Sequence, residues 1–199
     1  MIKIRNPIQN CEPYAKFYNF YDKAIKSNQD FIEAINISSF DNQLKEVNSR
    51  FVNLKYIDGS EWIFFSNYNS PKANDFINHA QISAVIFWDS INTQIRIKAN
   101  IKKSNNDLSD EHFFSRSKEK NALAVSSNQS VKIDSYESVK KKYQNILKKE
   151  KFINRPKFWG GYSFTPYYFE FWEGDASRVN IRNEYSNIND NWTHSILEP

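Results

Sequence analysis

Two stretches of this sequence carry side chains that could do chemistry together. Ser66-Asn67-Tyr68-Asn69-Ser70-Pro71-Lys72 runs off an aromatic, strand-like segment into a serine and a proline that open a helix, so hydroxyls, backbone N–H groups and an ammonium converge at one helix N-terminus. That donor set suits a phosphate. His112, Arg116 and Lys120 follow at four-residue steps, and in a helix this spacing puts all three on one face, either as an anion-binding stripe or as a solvated basic edge. Arg50 and Lys55 add two cations to one strand-like run. Their five-residue spacing points them to opposite faces unless a bulge or the strand end redirects one.

Other chemistries find no support. The sequence holds no Gly-rich phosphate loop, HExxH, CxxC or GxSxG motif, and its three histidines, His79, His112 and His194, stand apart, so no metal set is expected. One cysteine, Cys11, excludes an internal disulfide and suits a reducing compartment, which makes the cytoplasm the expected location. A net charge of +4 from 27 basic and 23 acidic residues, mostly interspersed, does not imply nucleic acid. The densest basic run, Lys140 to Lys142 with Lys148, Lys149 and Lys151, reads as a solvated helix face. No apolar run approaches membrane-spanning length.

The elements that must position these groups are mainly strands. Tyr14, Phe17, Tyr18, Tyr21, Ala24 and Ile25 recur at helical spacing and predict an N-terminal amphipathic helix over about 12–27. Strands are expected at 31–38, 49–57, 61–66, 82–88, 94–103, 167–173, 177–182 and 192–197, with a hairpin turn at Asp58-Gly59. Helices are expected from Pro71 through Asn78, over 109–120 and over 135–149, the last with Tyr136, Val139, Tyr143, Ile146 and Leu147 facing inward. About eight strands with peripheral helices argue for an antiparallel barrel in a single domain.

Residues 158–172, FWGGYSFTPYYFEFW, place nine aromatics among fifteen residues and spend two of the chain's four glycines side by side. The pattern fits a buried strand pair in which Gly-Gly makes a turn or a close backbone approach.

Taken in order, SRFVNLKYIDGSEWIFFSNYNSPK, FWDSINTQIRIKANIKK, FFSRSKEKNALAVSSNQS, RPKFWGGYSFTPYYFEFWEGDASRVNIR and the terminal NWTHSILEP resemble successive blocks of the pyridoxamine 5′-phosphate oxidase family over residues 12–199. The resemblance implies a mainly β, FMN-binding split barrel with peripheral helices, a homodimer with FMN at the subunit interface, and a dimerisation region over about 155–199. It places FMN contacts on Arg50, Phe51, Val52, Asn53, Leu54, Lys55, Phe65, Ser66, Lys72, Gln94, Gln129, Ser130, Trp172 and Arg182. Arg50, Lys72 and Ser130 would hold the phosphate, Gln94 and Gln129 would address the isoalloxazine edge, and Trp172 would offer apolar surface. Substrate positions fall on Lys55, His112, Arg116, Lys120, Arg178 and Asn180, of which Arg178 and Asn180 would stand at the reacting end.

Four positions depart from the family pattern: Pro71 stands where an arginine is usual, His112 for tyrosine, Lys120 for serine and Asn180 for histidine. The implied activity is hydride transfer from a small anionic, phosphorylated substrate to flavin N5, with O2 reoxidising the flavin to give H2O2. Alternatives are a split-barrel oxidase of the phenazine-biosynthetic type acting on another anion, or a flavin- or pyridoxal-phosphate-binding protein without turnover.

Overall fold

A computed structural model describes residues 1–148 and 154–199. Lys149, the end of the helix expected over 135–149, and Lys151, both part of the basic run, lie outside the described residues. The strands are β1 (Lys3–Arg5), β2 (Ala34–Asp41), β3 (Glu46–Asn53), β4 (Tyr56–Asp58), β5 (Glu61–Asn67), β6 (Gln81–Trp88), β7 (Thr93–Lys103), β8 (Trp159–Glu173), β9 (Ile181–Ile188) and β10 (Asn191–Ile196). The helices are α1 (Glu12–Lys26), α2 (Pro71–Asn78), α3 (Asn106–Ser115), α4 (Lys118–Ser126) and α5 (Tyr136–Leu147). One sheet runs β1-β4-β5-β8-β7-β6-β2-β3, with β9 and β10 branching from β8. It is antiparallel except where β1 joins β4, and its ends do not close on each other.

The aromatic segment is the spine of this sheet. Instead of a strand pair it forms one 15-residue strand, β8, bonded to β5 and β7 and then to β9. Gly160 and Gly161 are not a turn but points of close approach. A Cβ at Gly160 would lie 2.2 Å from the Tyr68 hydroxyl, and one at Gly161 would lie 2.1 Å from Ser104 Oγ. Alternate β8 residues then reach the core, where Phe169 and Phe171 meet the face of α1. Tyr14 is edge-on to Phe169 at 5.4 Å, Phe20 stacks on Phe171 at 5.7 Å, and Phe17 lies 4.5 Å from Trp62.

Four local expectations need correction. The run over 49–57 divides at Leu54-Lys55, because Leu54 turns its side chain into the core and gives its N–H to the Glu33 carbonyl at 2.8 Å. The helix over 109–120 breaks at Arg116, whose ψ of 158° is extended, and restarts after Ser117, whose hydroxyl accepts from the Lys120 N–H. A local cap outweighs a pattern that is helical on paper. Residues 174–180 are a loop, because Asp175 accepts from the Ser177 N–H and hydroxyl and Asn180 Oδ1 accepts from the Asp175 N–H. Finally, α5 buries none of its residues fully, and Tyr136 is 78% exposed.

Candidate active site

The end of β3, the end of β5, the start of α2 and the α3–α4 break surround a cavity of about 800 Å³. Its floor is an ammonium. Lys72 is buried in the first turn of α2, and its Nζ donates to Ser70 Oγ at 2.9 Å, Gln129 Oε1 at 3.0 Å and Ser66 Oγ at 3.1 Å. All three partners are neutral, and among the described residues no carboxylate lies within ion-pair distance of it. Burial, then the nearby Arg50, pull its pKa down to about 8 against the opposing field of Asp75. Pro71 opens α2, and the Ser70 hydroxyl donates to the Asn67 carbonyl and receives Lys72, so it makes no cap bond to the helix.

Arg50 stands beside this ammonium. It donates to Ser39 Oγ at 2.7 Å and to the Ile37 carbonyl at 3.2 Å, and its Nη2 lies 3.8 Å from Asp75 Oδ2. Asp75 is buried and in turn accepts the Ser39 hydroxyl at 2.5 Å. Among the described residues, Asp75 lies within ion-pair distance of Arg50 alone, so the positive charge of Lys72 is unmatched where both cations line the cavity.

The opposite wall is aromatic. His112 stacks on Phe65 with centroids 3.8 Å apart, Trp159 lies parallel to Phe65 at 5.4 Å, and the Arg116 guanidinium covers Trp159 at 4.5 Å. Arg116 gives Nη2 to the Lys120 carbonyl at 2.9 Å, while its Nη1 is buried without a hydrogen-bond partner among the described residues. The helix break thus undoes the expected single-face stripe, yet His112, Arg116 and Lys120 all still line the cavity. His112 is neutral, its pKa pushed down to about 4 by burial and then by the cations Arg116, Lys55 and Lys3. Lys55 also lines the cavity, already ion-paired with Glu33 at 3.2 Å.

The cavity gathers Arg50, Phe51, Val52, Asn53, Lys55, Phe65, Ser66, Lys72, Gln129 and Ser130. Leu54 is in the core instead. The Gln129 side chain is tied to Lys72 and Ser66 at the cationic end. Gln94, Trp172, Arg178, Asn180 and Arg182 do not line this cavity. Strand register puts Gln94, Trp172 and Arg182 side by side across β7, β8 and β9. There Arg182 gives Nε and Nη2 to Glu170 Oε1 at 3.0 and 2.8 Å and Nη1 to the Glu198 carbonyl at 2.7 Å. Arg178 is exposed with a φ of 69°, and the Asn180 amide closes the loop on Asp175.

Sequence reasoning missed Ser39, Asp75, Glu33, Tyr56 and Trp159, which orient or neutralise the cavity cations or build its wall. Asp75 carried a faint signal, a carboxylate one turn after Lys72 on a short helix. The others reach the site through pairing between distant strands.

Comparison with known proteins gives a consistent result. Residues 159–199 match the family model described as the pyridoxine 5′-phosphate oxidase C-terminal dimerisation region. The chain is 31% identical to pyridoxine/pyridoxamine 5′-phosphate oxidase 1 of Hydrogenovibrio crunogenus over 98% of this chain and 92% of that one. It is 35% identical to the pyridoxine/pyridoxamine 5′-phosphate oxidase of Christiangramia forsetii over 94% and 89%. Among solved structures, PhzG of Burkholderia lata 383, determined with tetrahydrophenazine-1-carboxylic acid, superposes with a TM-score of 0.89 at 21% identity, covering 94% of this chain and 92% of that one. A pyridoxamine 5′-phosphate oxidase-related, FMN-binding protein of Nostoc punctiforme gives 0.76 at 11% identity, over 91% and 96%. Both show a shared fold.

Proposed function

The chain belongs to the pyridoxine/pyridoxamine 5′-phosphate oxidase family, and from that premise we propose that it is an FMN-dependent oxidase of a small phosphorylated amine or alcohol. The observation that carries the reading is Lys72, a buried ammonium held by three neutral oxygens beside Arg50, with room above it for an anion. A phosphate that displaces one of these three neutral acceptors, which together use all three N–H donors of the ammonium, supplies the missing counter-charge. The flat wall of Phe65, His112 and Trp159 suits a ring system.

When bound, the flavin supplies a two-electron acceptor that takes a hydride equivalent at N5 and is reoxidised by O2 with release of H2O2. The chain's own groups bind and orient. Ser66, Ser70 and Gln129 aim the Lys72 ammonium, Asp75 and Ser39 aim Arg50, and Arg116 adds a positive charge to the cavity wall for the substrate anion. Holding the substrate carbon in reach of the ring is the main contribution such a site can make.

Gln94, Trp172 and Arg182, with Arg178 and Asn180 at the reacting end, complete the site from a second copy. We base this on their separation from the cavity and on the match of residues 159–199 to a dimerisation region. The functional unit is then a homodimer with one FMN per chain. A monomer that bound FMN stoichiometrically would contradict this.

Anaerobic mixing of the FMN-loaded protein with pyridoxamine 5′-phosphate tests the activity. Bleaching of the flavin absorbance is expected, slowly because of the departure at Asn180. A flavin that stays oxidised with both the amine and the alcohol substrate contradicts the reading. Asn180 favours a second one, an oxidase acting on a different anion, since its amide is committed to Asp175 and cannot titrate. In that case bleaching follows with another anionic substrate.

A further inference from the structure

Behind His112 lies a residue that the cavity itself does not show. Tyr56 is fully buried at the start of β4, and its hydroxyl is 3.0 Å from His112 Nδ1, with the two rings edge-on at 5.4 Å. The phenol is itself held from the other side. Arg5 of β1 lies 4.7 Å over the Tyr56 ring and is clamped by Glu111 of α3 at 2.6 Å. With Nδ1 tied to Tyr56 and the ring stacked flat on Phe65, the second nitrogen, Nε2, is the polar atom His112 has left for a ligand.

A neutral imidazole carries one proton, and its position decides what the ring can bind. The cations of this wall, Arg116 and Lys55, select an anion, and an anion needs a donor, so the proton must be on Nε2. Nδ1 must then accept. A backbone carbonyl in place of Tyr56 would hold the proton on Nδ1 and leave Nε2 unable to donate, whereas a hydroxyl can either donate or accept. We propose that Tyr56 is a positioning residue: by donating its O–H to His112 Nδ1 it sets the imidazole as an Nε2–H donor to the anionic group of the substrate. This rests on the oxidase reading above and names the hydrogen bond through which this chain, with histidine at 112, recognises its ligand.

Burial and the charges facing the ring, Arg116, Lys55 and Lys3 against Glu111, keep the imidazole unprotonated. The Tyr56 phenol stays protonated because burial, and then Glu111, push its pKa up against the opposing effects of Arg5 and of a hydrogen bond with Ser115, a second partner from which His112 Nδ1 must win the O–H. Both partners are therefore neutral over the physiological range, and the bond is selective for geometry more than for charge.

The test uses the FMN-loaded protein with pyridoxal 5′-phosphate as probe. Nitrogen-detected NMR of His112 in that complex should show the proton on Nε2 and a bare Nδ1, unchanged between pH 6 and 8. Tyr56→Phe should weaken pyridoxal 5′-phosphate by about three- to tenfold, the range for one neutral hydrogen bond, and leave FMN affinity within about twofold. His112→Phe keeps the stack and removes both nitrogens, so adding Tyr56→Phe to it should cost nothing further. A proton found on Nδ1 in the complex, an unaltered affinity in Tyr56→Phe, or an equal loss in the His112→Phe background would each overturn the proposal. Should Tyr56→Phe fail to fold, the NMR signature of the parent decides alone. A parent that binds neither FMN nor pyridoxal 5′-phosphate overturns the oxidase reading and this proposal with it, whereas normal binding that ignores Tyr56 overturns only the latter.

Discussion

The molecule treats buried charge in two opposite ways. On the β7–β8–β9 face, Glu170 is 2% exposed and is met by Arg96 at 2.7 Å, by Arg182 at 2.8 Å and by the Tyr168 hydroxyl at 3.1 Å, which reaches Glu184 as well. Charge there is matched within the chain. Around the cavity, Lys72 is 8% exposed and finds only neutral oxygens, while Arg50 has one carboxylate at 3.8 Å. A saturated network such as that of Glu170 holds the sheet together and, in the proposed dimer, also fixes Arg182 for the site it completes in a second copy. At Lys72 every N–H donor is used but the charge has no counter-ion among the described residues, and the fold bears the desolvation of that cation.

The contrast makes removal of a charge act on different quantities in the two places. Glu170→Ala leaves Arg96 and Arg182 without their carboxylate, and thermal or denaturant unfolding should show a loss on the order of 3 kcal/mol. A change below about 0.5 kcal/mol, typical of an exposed substitution, would mean that the network is not structural.

At the cavity the corresponding effect is on binding and its pH dependence. Free Lys72 loses its proton as pH rises through about 8, and a phosphate binds the charged form. FMN affinity should therefore fall by about twofold between pH 7 and 8 and above that by up to about tenfold per pH unit, since binding there requires uptake of one proton. Isothermal titration across pH 7 to 10 checks this, and a flat profile would place the phosphate elsewhere. Pro71→Arg adds a cation at the same helix start and should tighten FMN by about tenfold, the lower range for a charge-assisted hydrogen bond. Fluorescence titration at two salt concentrations separates that specific gain from a general field effect.

The smallest expected effect is on the far loop. Asn180→His should raise turnover several-fold while changing substrate affinity little, because a group near the reacting carbon acts on the transition state more than a remote anchor does. Steady-state kinetics giving an equal change in KM and kcat/KM, with kcat fixed, would show that residue 180 only binds.

The two regions were also unequally legible in the sequence. Ser66, Ser70 and Lys72 could be read as an anion site because they lie within seven residues and the Ser-Pro pair fixes where α2 begins. The α1 face was readable for the same reason, its apolar residues recurring at helical spacing. Asp75, Ser39, Glu33 and Tyr56 were not, because each meets its partner through contacts between elements that only the strand order establishes. Local competition hid the rest. A hydroxyl cap at Ser117 broke a helical pattern at Arg116, and side-chain bonds among Asp175, Ser177 and Asn180 bent a β-branched run into a loop. The role of Arg182 was obscured by Glu170, a buried acid in an aromatic strand whose partners are spread over three strands.

The central claim is that Lys72 is an ammonium waiting for the phosphate of FMN, and titration of the parent and of Lys72→Met with FMN and with riboflavin tests it most directly. The account predicts one FMN per chain in the parent, a loss on the order of ten- to a hundredfold in the variant, the effect of removing one charged hydrogen-bond donor, and no change for riboflavin, which lacks the phosphate. Equal FMN affinity in the two proteins, or an equal loss for riboflavin, would contradict it.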